Sequence, residues 1–178
     1  MIIALAGRRV DAIDAKEPRF PLKNVDLVRK RIRAMFESHQ EGLLVCAAAC
    51  GADLVALTQA GALGWRRRVV LPFSRKRFRE SSVTDRPGDW GPVYDRVLDD
   101  VEKSGDLVIM SPVPDDQAWA LANIAILNEA AQFAAQFDDA VTAVLVWDGI
   151  SRGQGDVTQS FGVEARKRGL PVREVPTI

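Results

Sequence analysis

The sequence predicts one α/β domain of the doubly wound kind over residues 1–178, a mostly parallel sheet with helices on both faces. Three observations carry this. Short apolar runs alternate with longer amphipathic stretches along the whole chain, the order that gives parallel pairing through right-handed crossovers. The short runs are continuously apolar rather than alternating, as in a sheet covered on both sides. The length suits a single core, which at this size buries roughly 70% of the surface of the unfolded chain.

The elements follow in order. Residues 2–6 form a strand that Gly7 ends. Residues 23–38 form a helix, with Val25, Leu27, Val28, Ile32, Met35 and Phe36 near helical spacing. Residues 43–46 are the second strand and 51–64 a helix of small residues. Gly61 inside that helix costs about 1 kcal/mol against alanine, so a close approach is expected there. Residues 68–73 are the third strand, stopped by Pro72, and 74–89 are polar and irregular. A helix is expected at 90–103, a strand at 106–110, an Ala-rich helix at 117–137 and a strand at 141–147. The glycine-rich loop 149–156 leads into a helix at 157–168, which Gly169 closes, and 170–175 is the last strand. This is a Rossmann-like pattern. The loop 74–89 exceeds ordinary connections, which suggests a functional loop.

Charge limits the partners. The chain carries 24 Lys+Arg and 24 Asp+Glu, for zero net charge, whereas a nonspecific nucleic-acid binder needs a basic excess to neutralise phosphates. No nucleic-acid partner is expected. Two cysteines, Cys46 and Cys50, and one histidine, His39, make neither a disulfide framework nor a zinc site. Met1 leads into Ile2 and Ile3 without a basic segment, so no signal peptide is expected. No apolar run approaches the roughly 20 residues of a membrane span. A cytoplasmic protein with reduced thiols, no metal and no cofactor is expected.

Ligands of open parallel sheets bind beyond the carboxyl ends of the strands, near the point where strand order reverses. Gly7, Arg8 and Arg9 follow the first strand. The two arginines suit bidentate phosphate recognition, or else form a solvated strand end. Cys50, Gly51, Ala52 and Asp53 follow the second, as backbone donors for a ligand or as a tight turn in which Asp53 favours the helix dipole. Pro72, Ser111 and the group Trp147, Asp148 and Gly149 follow the next three strands. Gly153, Gly155, Asp156 and Thr158 precede a helix. They form a phosphate loop, or Asp156 is an N-cap in a capping box with Gln159. An aspartate there would repel a phosphate. Arg66, Arg67, Arg68, Arg75, Lys76, Arg77 and Arg79 make a local basic patch, either solvated or a lid over an anion. Cys50 and Trp147 have plain packing as their alternative role.

Several segments, in order, resemble the SLOG superfamily, the Rossmann-like group that includes the DprA/Smf and Lonely Guy proteins. These are Ile3-Ala4-Leu5-Ala6-Gly7-Arg8-Arg9 and Ala49-Cys50-Gly51-Ala52-Asp53-Leu54-Val55-Ala56-Leu57. They continue with Val70-Leu71-Pro72-Phe73, Ala122-Asn123-Ile124-Ala125-Ile126-Leu127, Val146-Trp147-Asp148-Gly149 and Gly155-Asp156-Val157-Thr158. The resemblance is to the ligand-sensing SLOG domains of bacterial signalling and conflict systems. It implies a pocket for a nucleotide or nucleotide-derived small molecule that includes Asn123. Lonely Guy enzymes cleave nucleotide N-glycosidic bonds through a PGGxGTxxE motif. Here Asp156-Val157 stand where glycines are usual, and Phe161 stands in the glutamate's place. Binding or sensing is therefore the first expectation. A glycosidic-bond hydrolase is the alternative, with Glu164 and Asp156 as the carried-over catalytic candidates and Asp53 and Asp148 as further carboxylates. A DprA-like DNA-binding module is the weaker alternative. The helix at 117–137 also suggests a homo-oligomer.

Overall fold

The computed structural model describes residues 1–110 and 117–178. Ser111 lies outside them. Six strands make one sheet: β1 (Ile2–Gly7), β2 (Leu43–Cys46), β3 (Arg66–Leu71), β4 (Leu107–Ile109), β5 (Val141–Trp147) and β6 (Val172–Pro176). Their order is β4-β3-β2-β1-β5-β6, and every pairing is parallel. The connecting helices are α1 (Val25–Glu37), α2 (Ala52–Ala62), α3 (Arg75–Ser82), α4 (Gly91–Lys103), α5 (Ala118–Phe137) and α6 (Val157–Lys167).

The period of two along each strand sends alternate side chains into two cores. Ile3 and Leu5 of β1 face one way, into a core with Val28, Ile32 and Phe36 of α1, Leu54 and Leu57 of α2, and Tyr94 and Leu98 of α4. Ile2, Ala4 and Ala6 face the other way, against Ile126, Leu127 and Ala130 of α5 and Phe161 and Ala165 of α6. Both faces are covered, which is why the strands read as unbroken apolar runs. No helix among the described residues is long and apolar enough to cross a membrane.

Several boundaries shift by one or two residues, and two differences have a physical cause. β3 begins two residues earlier, at Arg66. Its first three residues are arginines, yet they pair with Leu43, Leu44 and Val45 of β2. Arg66 and Arg68 bond to Asp106, and Arg68 also meets Glu129. The segment 74–89 is not wholly irregular, because α3 lies within it. Only Phe78 and Ser82 of α3 are buried, so almost no apolar period marks it in sequence. Ser74 caps it by accepting from the Arg77 N–H.

The basic patch closes on acids. Arg75 pairs with Asp99 and Glu102, and Arg79 with Asp95. Gly61 does meet a close neighbour: a Cβ there would lie 2.6 Å from Arg67 Nη1.

β1 ends against α2 through two glycines. A Cβ on Gly7 would sit 2.3 Å from the Ala52 Cβ. Gly51 has φ of 94°, and a Cβ there would lie 2.8 Å from both Arg8 O and Val10 N. The crowding atoms are backbone and cannot swing aside. Gly51→Ala is expected to lower stability by about 2–3 kcal/mol, combining left-handed strain with the clash. Urea unfolding measures this, and a loss below about 0.5 kcal/mol would refute the close approach.

Candidate functional site at the strand ends

The chain leaves β1 for β2 on one side and returns through α5 to β5 on the other. The strand order therefore reverses between β1 and β5. A crevice is expected outside the carboxyl ends there. A cavity of about 660 Å³ opens at that place.

Each wall comes from a different element. β1 supplies Leu5 to Arg9, and the turn after β2 supplies Ala47 and Ala49. Asp53 enters from α2, Phe78, Ser81 and Ser82 from α3, and Trp119, Ala122, Asn123 and Ile126 from α5. Arg152, Gln154, Gly155, Asp156, Val157 and Thr158 close it from the loop before α6 and that helix's first residues. The Trp119 ring meets Phe78 at 5.8 Å and Phe73 at 5.6 Å, which makes one wall aromatic. Asn123 donates its amide N–H to the Val157 carbonyl at 2.8 Å and so ties α5 to α6.

Arg8 is the most constrained side chain. Its backbone N–H extends the β1–β5 ladder by donating to Val146 O at 2.8 Å. The side chain is 2% exposed and spans the reversal point. Nη1 and Nη2 grip both oxygens of Asp156 at 2.8 and 2.9 Å. Nε donates to Asp148 at 3.0 Å, and Nη2 also donates to the Ile150 carbonyl at 2.6 Å. Arg19 donates to the other Asp148 oxygen at 2.7 Å. The anions that Arg8 faces in this structure are the chain's own carboxylates rather than a phosphate.

Asp156 is also the N-cap of α6, accepting from the Thr158 and Gln159 N–H groups. It takes a further bond from the Arg152 N–H at 2.8 Å. The capping box is half formed, because the Gln159 side chain accepts from Ser151 instead of reaching back. Burial alone would raise the Asp156 pKa. Arg8 and the backbone donors outweigh it and hold the carboxyl down at about 2. Asp148 is likewise held below the usual carboxylate range, burial being outweighed by its bonds from Arg19 and Arg8. The end of α6 that would attract a phosphate already carries an internal anion.

Asp53 behaves oppositely. It is 6% exposed, and its Oδ2 accepts from the Ala49 N–H at 3.1 Å. Its Oδ1 is buried with no hydrogen-bond partner. Burial pushes its pKa up to about 7, against the smaller lowering effects of the Ala49 N–H and Arg9. Near neutral pH it is poised between acid and carboxylate.

Besides Arg8, the cations that line the cavity are Arg9 and Arg152. Arg9 gives Nη1 to Asp85 at 2.8 Å and to the Ser81 carbonyl at 3.1 Å. The Arg152 guanidinium makes no hydrogen bond or ion pair among the described residues. Burial and the nearby charge of Arg8 pull its pKa down.

Other expected residues lie outside the lining. Trp147 sits beneath Arg8, 5.5 Å from guanidinium carbon to ring centre, and its indole donates to Glu174. It cannot stack on a base in the cavity. Asp148, Gly149 and Gly153 shape the loop behind Arg8, while Cys50, Gly51, Ala52 and Pro72 support the turns. Burial pushes the Cys50 thiol up to about 11. Glu164 accepts from Arg168, one turn along α6, at 2.9 Å and is not part of the cavity lining. Trp119 and Arg152 carry no motif, and only the chain's return through α5 and the loop before α6 bring them to β1.

The fold and site define an α/β protein with an open crevice where its parallel sheet reverses. No family model and no curated protein matches the chain. Among solved structures it is similar to DNA processing protein A (DprA) from Streptococcus pneumoniae. The TM-score is 0.44 and the identity 12%, over 97% of this chain and 58% of that one. The chain thus spans less than two thirds of that protein's length.

Two outcomes test these electrostatics. Arg8→Met leaves two carboxylates buried and should cost about 3–5 kcal/mol in urea unfolding, since breaking a buried pair strands its partners. A cost under about 1 kcal/mol would contradict the clamp. The raised pKa of Asp53 means that stability is full below the unfolded value near 4 and falls as pH rises through 7. Asp53→Asn should therefore melt a few degrees above wild type at pH 8 and near it at pH 5. Parallel melting curves at both pH values would refute the shift.

Proposed function

We propose that this chain binds a nucleotide-derived small molecule in the cavity between β1 and β5, as a binding or sensing domain. The carrying observation is the cavity itself. Its volume of about 660 Å³ falls within the roughly 300–1,000 Å³ of small-molecule sites, and it pairs an aromatic wall with a few convergent polar groups. A base would lie against Trp119 and Phe78. Asn123 and Thr158 offer polar contacts to base or ribose. Arg152 and Arg9 would take the anionic end, in place of the α6 terminus that Asp156 occupies. The motif order that resembles SLOG proteins supports the same reading. The pairing of the β3 and α3 arginines with acids counts against a DNA-binding face.

A second reading, a glycosidic-bond hydrolase, has one observation in its favour. Such chemistry needs a carboxyl near its working pH. Asp156 is locked as an anion and Glu164 points elsewhere, which leaves Asp53.

The test is a panel of nucleoside monophosphates and NAD derivatives, read by thermal shift and by release of free base. The binding reading predicts saturable stabilisation without base release. It also predicts at least about tenfold weaker binding by Trp119→Ala, from lost stacking. Release that disappears in Asp53→Asn would establish the hydrolase instead. No stabilisation at millimolar concentrations would overturn both.

A further inference from the structure

Beside the main cavity, and sharing Arg9 and Arg152 with it, lies a second hollow of about 280 Å³. It is formed by the stretch after β1 and by Arg86 from the segment after α3. Five cationic side chains line it, Arg9, Lys16, Arg19, Arg86 and Arg152, against the acids Asp11 and Glu17.

The acids are already engaged. Asp11 accepts from the Arg19 and Phe20 backbone N–H groups, and Glu17 pairs with Arg19. Asp85 takes Arg9 Nη1 on both its carboxylate oxygens and lies 3.4 Å from Arg86 Nε. Three of the cations keep a donor without a protein acceptor. The exposed Lys16 ammonium and Arg152 guanidinium make no hydrogen bond or ion pair among the described residues. Arg86 Nε is buried without a hydrogen bond, despite the nearby Asp85. A guanidinium donor buried without an acceptor, as Arg86 Nε is, is costly, and like charges gathered in one hollow repel. Both costs fall when an anion enters.

Position then decides which anion. Arg9 and Arg152 form the boundary between the two spaces. A molecule whose base lies against Trp119 and whose first phosphate meets Arg152 would extend its next phosphate into the second hollow. A free anion would use the hollow alone, without reaching the cavity. The α6 terminus, where a phosphate chain would otherwise run, is closed by Asp156.

We infer that this second hollow is a phosphate-chain subsite, so that the ligand of the main cavity is a nucleoside di- or polyphosphate rather than a monophosphate. This rests on the proposed nucleotide site and names its ligand class. Lys16 and Arg86 read the outer phosphates, and Arg152 marks the passage between the two spaces.

Isothermal titration separates the possibilities. The probes are adenosine and guanosine, their mono-, di- and triphosphates, and inorganic pyrophosphate. The diphosphate of the preferred base should bind at least about tenfold more tightly than its monophosphate at low salt, as added charge-assisted bonds allow. That gain should shrink at high salt. The double variant Lys16→Ala, Arg86→Ala touches only the second hollow. It should abolish the gain while binding the monophosphate as wild type does. Equal affinity for mono- and diphosphate would overturn the subsite and leave the main-cavity reading standing. So would a gain that survives the double variant. Pyrophosphate binding more tightly than any nucleotide would overturn it in favour of a free-anion site. Binding of no probe would overturn both readings.

Discussion

The site depends on one buried charge cluster. Arg8 and Arg19 meet Asp148 and Asp156, with the Arg8 side chain 2% exposed and both carboxylates 1%. Removing such ions from water costs several kcal/mol each, and only close geometry and satisfied donors offset that. Here the bidentate grip on Asp156, the shared Asp148 and the Ile150 carbonyl supply them. Two cations stand against two anions, so the cluster carries little net field. It joins the end of β1, the end of β5 and the start of α6, the three elements around the reversal of strand order. In doing so it fixes the loop that carries Arg152 to the cavity rim.

The same cluster sets the cavity's electrostatic character. Asp156 consumes the helix end that would hold a phosphate, and leaves Arg152 and Arg9 as the cations on the rim beside it. Asp53 lies across the cavity without a comparable partner, and burial keeps it near neutrality instead of ionised. Two aspartates on one pocket thus differ by several pKa units, from about 2 to about 7, because one has a guanidinium and the other a single backbone donor.

The fold was largely legible, because continuous apolar runs of four to seven residues name covered parallel strands and long amphipathic stretches name the crossovers. β3 started early because arginines at its head satisfy themselves on Asp106 and Glu129, a tertiary effect that no local pattern carries. α3 was hidden for a related reason, having only Phe78 and Ser82 buried. At the site, Gly7, Arg9, Asp53, Gly155, Asp156 and Thr158 were legible from their places at strand ends and helix starts, and Asn123 from the resemblance. All of them line the cavity. The role of Arg8 was not, since its carboxylate partners lie 140 and 148 residues away. Trp119 and Arg152 were invisible because nothing in their neighbourhoods marks them, and only the packing of α5 and α6 brings them to β1.

The central claim is that a nucleotide-derived molecule occupies this cavity. The four tryptophans offer built-in reporters: Trp119 is on the cavity wall, while Trp65, Trp90 and Trp147 lie outside its lining. A nitrogen–proton correlation spectrum recorded during a nucleotide titration reads all four indole N–H signals at once, with the Asn123 side-chain amide. The account predicts that the Trp119 indole and the Asn123 amide move saturably while the other three indoles stay near their free positions. Movement of Trp65 or Trp90 with Trp119 unchanged, or no movement at any of them, would contradict it.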